Sequence, residues 1–201
     1  MERLIIASNN QGKVKEIKAI LAPYFNQIVS LKDAGIDIDV EETGATFYQN
    51  ALIKARAVYD IVKAPVLSDD SGICVDALGG GPAVYSARYS GRGDAENNQK
   101  LLNELKRLNA VTDRERAAHF ASAVVLYISP DKIISGEGRA YGHILTEPTG
   151  NNGFGYDCVF CSDDLKMSFG LADAESKNKV SHRYRALAQV VEQIKGTGFF
   201  S

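Results

Sequence analysis

Leu67-Ser68-Asp69-Asp70-Ser71-Gly72 places two adjacent carboxylates directly after an apolar run, Ala64-Pro65-Val66-Leu67. The run reads as a short buried strand, and Ser-Gly as turn chemistry. Adjacent aspartates at a strand end repel each other and call for a cation or water. Hard oxygen ligands that leave room for substrate phosphates suit Mg²⁺. The chemistry these residues suggest is metal-assisted work on phosphates. The hexapeptide alone leaves a second reading equally open, in which Asp69 and Asp70 simply cap a turn.

Other stretches carry polar groups that belong with such chemistry. Ile5 to Ile17 reads as a strand, a polar loop (Ser8-Asn9-Asn10-Gln11-Gly12) and a helix start with Lys13 in its first turn. Backbone N–H groups and the helix dipole favour an anion there. It is not a Walker loop, because it has one glycine and Val14 follows the lysine. Glu41-Glu42-Thr43-Gly44-Ala45-Thr46-Phe47 is followed at a distance by Lys54. On the helix expected from Thr46, Asn50 and Lys54 fall at the edge of the stripe formed by Phe47, Ala51, Ala55 and Val58. A lysine there either snorkels out of the core or points into an internal cavity. Late in the chain come Gly153-Phe154-Gly155-Tyr156-Asp157 and Lys177-Asn178-Lys179-Val180-Ser181-His182-Arg183. His182-Arg183 reads as an ordinary helix start or as a pair of donors in a site. Basic residues at a helix N-terminus run against the dipole, which gives the pair independent interest.

Together with Val84-Tyr85-Ser86-Ala87-Arg88-Tyr89, these motifs in this order resemble the Ham1 family, the inosine/xanthosine triphosphate pyrophosphatases. The resemblance runs from about Leu4 to about Ala188. Each motif alone is weak; the full ordered set is a strong match. One departure is Ala83, which stands where many members have a second glycine, after Gly81-Pro82.

The resemblance implies a single α/β domain over residues 1–201. Its sheet would be mixed and twisted, flanked by helices, in a two-lobed molecule with the active site in the cleft between lobes. It implies Mg²⁺-dependent hydrolysis of dITP, ITP and XTP to the monophosphate and pyrophosphate, by a homodimer. Glu42 and Asp70 are the implied metal pair, with Asp69 close by and Glu41 as an alternative. Asp70 is the implied proton acceptor, helped by metal polarisation of the water and phosphates. Lys54 is the implied phosphate lysine. Lys13, Lys177, Ser8, Asn9 and Ser71 join it, and Asn10, Gln11 and Gly12 complete the loop. His182 and Arg183 would donate to the base, Phe154 stack on it and Asp157 accept from a ring N–H, with Gly155 and Tyr156 in the same segment. A donor-rich dry pocket accepts the C6 oxygen of hypoxanthine or xanthine and rejects the amino group of adenine. Two other functions compete: a catalytically idle nucleotide binder and a hydrolase of modified pyrimidine nucleotides. The retained carboxylates speak against the first, and the residues assigned to the base against the second.

Composition is compatible with this. The chain has 201 residues, 45% hydrophobic and 24% charged, which suits a soluble globular domain. A net charge of −2 argues against nonspecific nucleic-acid binding. The apolar run Leu4–Ala7 is too short for a signal peptide or membrane span, so the expectation is a cytoplasmic protein without a membrane partner. Cys158-x-x-Cys161 lacks the companions of a structural zinc site and reads as packing thiols within a strand over 156–161.

The elements that must position these residues are legible in outline. Leu4–Ser8 reads as a strand and Val14, Ile17, Ile20 and Leu21 as the inner face of the helix after it. Thr46 with Gln49 forms a capping-box pattern. Asp94 reads as the N-cap of a helix carrying Leu101, Leu102, Leu105 and Leu108. Ala117–Ser129 alternates as a long strand, Ser129-Pro130-Asp131-Lys132 turns, and 133–145 returns. Consecutive hairpin strands with helices on both sides indicate a mixed sheet. The last helix starts near Ser181, with Tyr184, Leu187, Val191 and Ile194 as its inner face. His119, His143 and Asp163-Asp164 receive no role. Apolar surface at 83–86 and Phe199-Phe200 offers weak support for a dimer.

Overall fold

The computed structural model describes residues 3–195. In chain order its elements are β1 (Arg3–Ile6), α1 (Gln11–Leu21), β2 (Gln27–Ser30), α2 (Phe47–Val62), β3 (Val66–Val75), α3 (Asp94–Arg107), β4 (Ala117–Ser129), β5 (Lys132–Ile144), β6 (Phe160–Ser162), β7 (Met167–Ser168), α4 (Ala174–Val180) and α5 (His182–Lys195). The strands form one seven-stranded sheet in the order β2-β1-β3-β4-β5-β6-β7. β1 pairs in parallel with β2 and β3, whereas β6 pairs antiparallel with β5 and β7. β4 and β5 are joined through Pro130-Asp131 alone, and so short a link permits only an antiparallel return. The fold is α/β with a mixed sheet, as the hairpin pattern predicts.

The chain divides into two compact units. The first takes the chain up to Asp70, Ser122–Gly138 and the chain from Arg183 on; the second takes Ser71–Ala121 and Arg139–His182. In the first unit, period-two alternation sends side chains to both faces of the strands. Leu4, Ile6, Leu67, Val124 and Leu126 pack with Val14, Ile17 and Leu21 of α1 and with Leu187, Val190, Val191 and Ile194 of α5. Their chain neighbours Ile5, Ala7, Val66, Val125 and Tyr127 pack with Ala51, Ala55 and Val58 of α2. Each fully buried Leu, Ile or Val among these contributes about 1.5–3 kcal/mol, so register is tightly fixed on both faces. The second unit has its own core, in which Ile73, Leu101, Leu105 and Val159 surround the rings of Phe120, Phe160 and Phe169.

Four expectations are corrected. β3 does not stop at Leu67; it runs ten residues through Ser71-Gly72, so neither aspartate caps a turn. The stretch 156–161 is not one strand, because Asp157–Val159 forms a 3₁₀ turn before β6. Tyr184 is 39% exposed: the inward stripe of α5 runs through Arg183, Leu187, Val190 and Ile194, and Tyr184 lies one residue off it. The N-cap of α3 is Gly93 and not Asp94, whose carboxylate is used elsewhere. Cys74 is buried and Cys158 and Cys161 are half-buried, all as free thiols. The segment Phe199-Phe200 lies outside the described residues, while Tyr85 is 60% exposed.

The continuation of β3 depends on Gly72. A Cβ there would stand 2.3 Å from the Ala83 carbonyl oxygen and 2.4 Å from Ser86 Oγ. That close approach lets Ser86 Oγ accept from the Ile73 N–H at 2.9 Å and donate to the Ala83 carbonyl at 2.6 Å. Ala83 itself has φ +51°, a left-handed conformation. The one departure from the family pattern thus puts a Cβ where glycine is at ease. Ala83→Gly is expected to stabilise the protein by about 1 kcal/mol, because left-handed backbone costs a non-glycine residue roughly 1–2 kcal/mol and glycine's unfolded-state freedom returns only part of it. Thermal denaturation should show Tm rising by about 2–4 °C; a fall in Tm would mean that the Ala83 methyl packs usefully.

Candidate active site

The pleat of β3 separates the two aspartates. Asp69 follows Leu67 onto the α1/α5 side of the strand, and Asp70 follows Val66 onto the α2 side. Each then meets the charges of its own face. Asp69 is fully buried, with Oδ2 3.0 Å from Lys13 Nζ and 3.2 Å from Arg183 Nη2. Ser122 donates its hydroxyl to Oδ1, and the other arm of Arg183 pairs with Glu16. Burial alone would raise the Asp69 carboxyl. Arg183 and Lys13, with hydrogen bonds from Ser122 and Lys13, overcome this and hold it well below the usual carboxylate range. Burial lowers the Lys13 ammonium, opposed by Asp69 and reinforced by Lys54 and Arg183. For Arg183, burial works against the charge, but Asp69 and Glu16 more than restore it.

Asp70 lives in a different environment. Asn50 Nδ2 donates to its Oδ2 at 3.1 Å, and Lys54 Nζ stands 3.7 Å from its Oδ1. Lys54 is closer to Glu42, at 2.7 Å, and donates to the Asp69 carbonyl at 3.0 Å. It does not snorkel to solvent. Burial raises the Asp70 carboxyl; Lys54 and Lys13 oppose the rise, Glu42 adds to it, and the Asn50 bond opposes it again, leaving it above its ordinary value. Glu42 and Asp70 therefore both face the Lys54 ammonium. Among the described residues no group of three or more His, Cys, Asp or Glu side chains is placed to hold a metal by itself. Two hard carboxylates suit Mg²⁺, which fills its remaining positions with water and substrate phosphate oxygens. Asp69, with Lys13, Arg183 and Ser122 on its oxygens, fits that role less well.

The N-terminal loop opens α1 as expected. Asn10 caps the helix by accepting from the Lys13 N–H at 3.0 Å, and Ser8 Oγ accepts from the Asn10 N–H at 3.2 Å. Asn9 donates to the Ile38 carbonyl at 3.2 Å, while Gln11 and Gly12 form the first helical residues. The loop brings backbone donors and Lys13 to one helix end.

In the second unit the expected base-reading residues form a cluster of their own. Asp157 Oδ2 accepts from the Phe154 N–H at 2.8 Å and from Lys177 Nζ. The turn is tight: a Cβ on Gly153 would fall 2.0 Å from that same oxygen. Lys177 is buried, its ammonium 5.0 Å from the Phe154 ring centre and 5.6 Å from that of Phe169. The structure thus places Lys177 with Asp157 and Phe154. His182 stacks on Phe120, ring centres 4.8 Å apart and 11° from parallel. Tyr156 is buried and donates to the Ser86 carbonyl at 2.8 Å, which makes it a strut. Gly155 is held by Asp94 Oδ2, which accepts from its N–H at 2.9 Å, and by Asn98, which donates to its carbonyl at 3.0 Å. Ser71 lies half-buried on β3.

Sequence reasoning missed Asn50, Glu16 and Ser122 around the aspartates, and the use of Asp94 and Asn98 around Gly155. Asn50 gave a signal, since a carboxamide at the edge of an apolar stripe needs partners. Glu16 gave a weaker one, three residues after Lys13 on the same helix. Both arms of the Arg183 guanidinium engage carboxylates in the first unit, Glu16 and Asp69.

Asp69→Asn keeps the shape but removes the carboxylate that Lys13 and Arg183 both meet. Breaking a buried pair from one side is expected to cost about 3–5 kcal/mol. The pH dependence follows. The native pKa of Asp69 lies below its unfolded value of about 3.9, so as pH falls the unfolded chain takes up the proton first. The stabilisation is fully present above that value and is lost as pH drops from about 4 through the native pKa. Denaturant midpoints at pH 7 and pH 3.5, in metal-free buffer, should fall further for the wild type than for Asp69→Asn. Equal falls would show that Asp69 is not the responsible carboxylate.

Comparison with known proteins fits this geometry. A family model described as the Ham1 family matches residues 4–193. A dITP/XTP pyrophosphatase of Clostridium perfringens is 46% identical over 204 residues, covering 98% of each chain. The solved Ham1 protein of Staphylococcus aureus aligns with a TM-score of 0.83 at 35% identity, over 98% of this chain and 100% of its own. A Ham1 protein from Coxiella burnetii aligns at 0.82 and 33% identity, over 100% of both chains. Both the order of the motifs and the arrangement of strands are those of one family, and the chain belongs to the Ham1 family.

Proposed function

We propose that this protein hydrolyses non-standard purine nucleoside triphosphates (dITP, XTP and ITP) to the monophosphate and pyrophosphate in a Mg²⁺-dependent reaction. The observation that carries the reading is the unequal treatment of the two aspartates. Asp69 is held well below the usual carboxylate range by Arg183 and Lys13, while burial raises Asp70 beside Glu42 and Lys54. The naming of similar bacterial proteins as dITP/XTP pyrophosphatases supports it.

Glu42 and Asp70 would hold the metal, which when bound lowers the pKa of water and polarises the phosphates. Water attacks the α-phosphorus: an O–Pα bond forms, the bond from Pα to the bridging oxygen breaks, and pyrophosphate leaves. The proton goes to the Asp70 carboxylate, which the Asn50 carboxamide holds in place. Lys54 and Lys13, with the loop Ser8–Gly12 at the α1 N-terminus, hold phosphate oxygens. Phe154 offers a stacking face, Asp157 an acceptor and His182 a donor for the base. Arg183 joins His182 as a proposed donor to the base and also pairs with Asp69 and Glu16. We also infer a homodimer and a cytoplasmic location; among the described residues no helix is long and apolar enough to cross a membrane.

A panel of nucleoside triphosphates with Mg²⁺, with pyrophosphate and orthophosphate measured separately, tests the reaction. dITP, ITP and XTP should release pyrophosphate far faster than ATP or GTP, and orthophosphate as the main product would refute the reading. Asp70→Asn should retain less than about a tenth of wild-type kcat, a loss of more than about 1.4 kcal/mol in transition-state stabilisation. Light scattering at micromolar concentration should give about twice the 21.8 kDa of one chain; a mass of one chain would reject the dimer.

A further inference from the structure

We propose that Asn50 is a positioning residue for this reaction: one buried carboxamide that sets Asp70 and the Glu42 loop in place together. The inference rests on the reaction proposed above. Asn50 lies on α2 and is fully buried. Its Nδ2 donates to Asp70 Oδ2 at 3.1 Å, and its Oδ1 accepts from the Gly44 N–H at 2.8 Å. The partners fix the amide orientation, because the N–H of Gly44 can only donate. Gly44 lies two residues beyond Glu42, and the loop sits flush on the carboxamide: a Cβ on Gly44 would stand 2.6 Å from Asn50 Oδ1. Lys54, four residues on, faces the same two carboxylates from the next turn of the helix. One helical face therefore sets Asp70 directly and Glu42 through the loop.

Holding the loop is not the whole purpose of Asn50. Gln49 Oε1 already accepts from the Ala45 N–H at 2.7 Å, and Thr46 caps the helix by accepting from the Gln49 N–H. What Asn50 adds is the donor to Asp70. A side chain of this length must donate to a carboxylate and accept from a backbone N–H at once, and the carboxamide does both. Aspartate would keep the Gly44 bond and replace the amide donor by a second carboxyl against Asp70. Alanine would lose both.

Steady-state kinetics on dITP with Mg²⁺, beside circular dichroism and Tm, separate positioning from folding. Asn50→Ala should lower kcat about 10- to 100-fold while KM stays within about threefold, since misplacing a reacting group by about 1 Å costs on that order. Gln49→Ala, which loosens only the loop, should leave kcat within about twofold. Should Asn50→Ala fail to fold, Asn50→Asp supplies the test, with the same shape and the Gly44 bond retained; its kcat should fall at least as far. A folded Asn50→Ala or Asn50→Asp with wild-type kcat overturns the proposal. So does an equal kcat loss in Gln49→Ala, which would make the loop tether the whole effect. A wild type that releases no pyrophosphate from dITP would instead sink the underlying reaction, and this proposal with it.

Discussion

The pleat of β3 at Asp69 and Asp70 is the constraint on which the rest depends. Two carboxylates about 4 Å apart on one surface would repel by about 4 kcal/mol at the effective dielectric of a protein surface. Placed on opposite faces of a strand, they face different helices. The α1/α5 face answers with Lys13 and Arg183, and the α2 face with Lys54 and Asn50. Two adjacent residues of one type thus acquire opposed tendencies, one held ionised and one raised, a division of labour set by environment alone.

This explains the basic start of α5. A cation in the first turn of a helix runs against the dipole, a cost of a few tenths to about 1 kcal/mol. Arg183 sits there fully buried, and Asp69 and Glu16 repay the cost with charge-assisted bonds. The arrangement joins α1, β3 and α5 at one point: Glu16 and Lys13 come from α1, Asp69 from β3 and Arg183 from α5. Apolar packing from Leu4, Leu67 and Val124 brings these elements to the same face, and the ion group then fixes how they meet.

What was legible in the sequence was local. The apolar run Leu4–Ala7, the alternation of Ala117–Ser129, the Pro130-Asp131 turn, the Thr46 cap and the stripe of α2 all follow from neighbours within a few residues. What was not legible depends on distant partners. Asp69-Asp70-Ser71-Gly72 reads as a turn because polar residues rarely stay buried in a strand. It remains a strand because Arg183, 114 residues away, and Ser122, 53 residues away, satisfy Asp69. The same limit hid Asp94, which reads as a cap by sequence spacing but serves Gly155, 61 residues away. The residues with chemical roles were readable as types in an order; which carboxylate faces which cation was not, since that is decided by strand pleat and helix face together.

The charges of the first unit carry the reasoning one step further. Lys13 and Arg183 formally balance Asp69 and Glu16. Lys54 faces both Glu42 and Asp70, and Lys13 acts on Asp70 as well. On the proposed function, an incoming triphosphate would bring further negative charge beside these carboxylates. A divalent cation held by Glu42 and Asp70 would offset that charge, and the phosphates would supply it with oxygen ligands. Cation and substrate should therefore each raise the affinity of the other, by linkage.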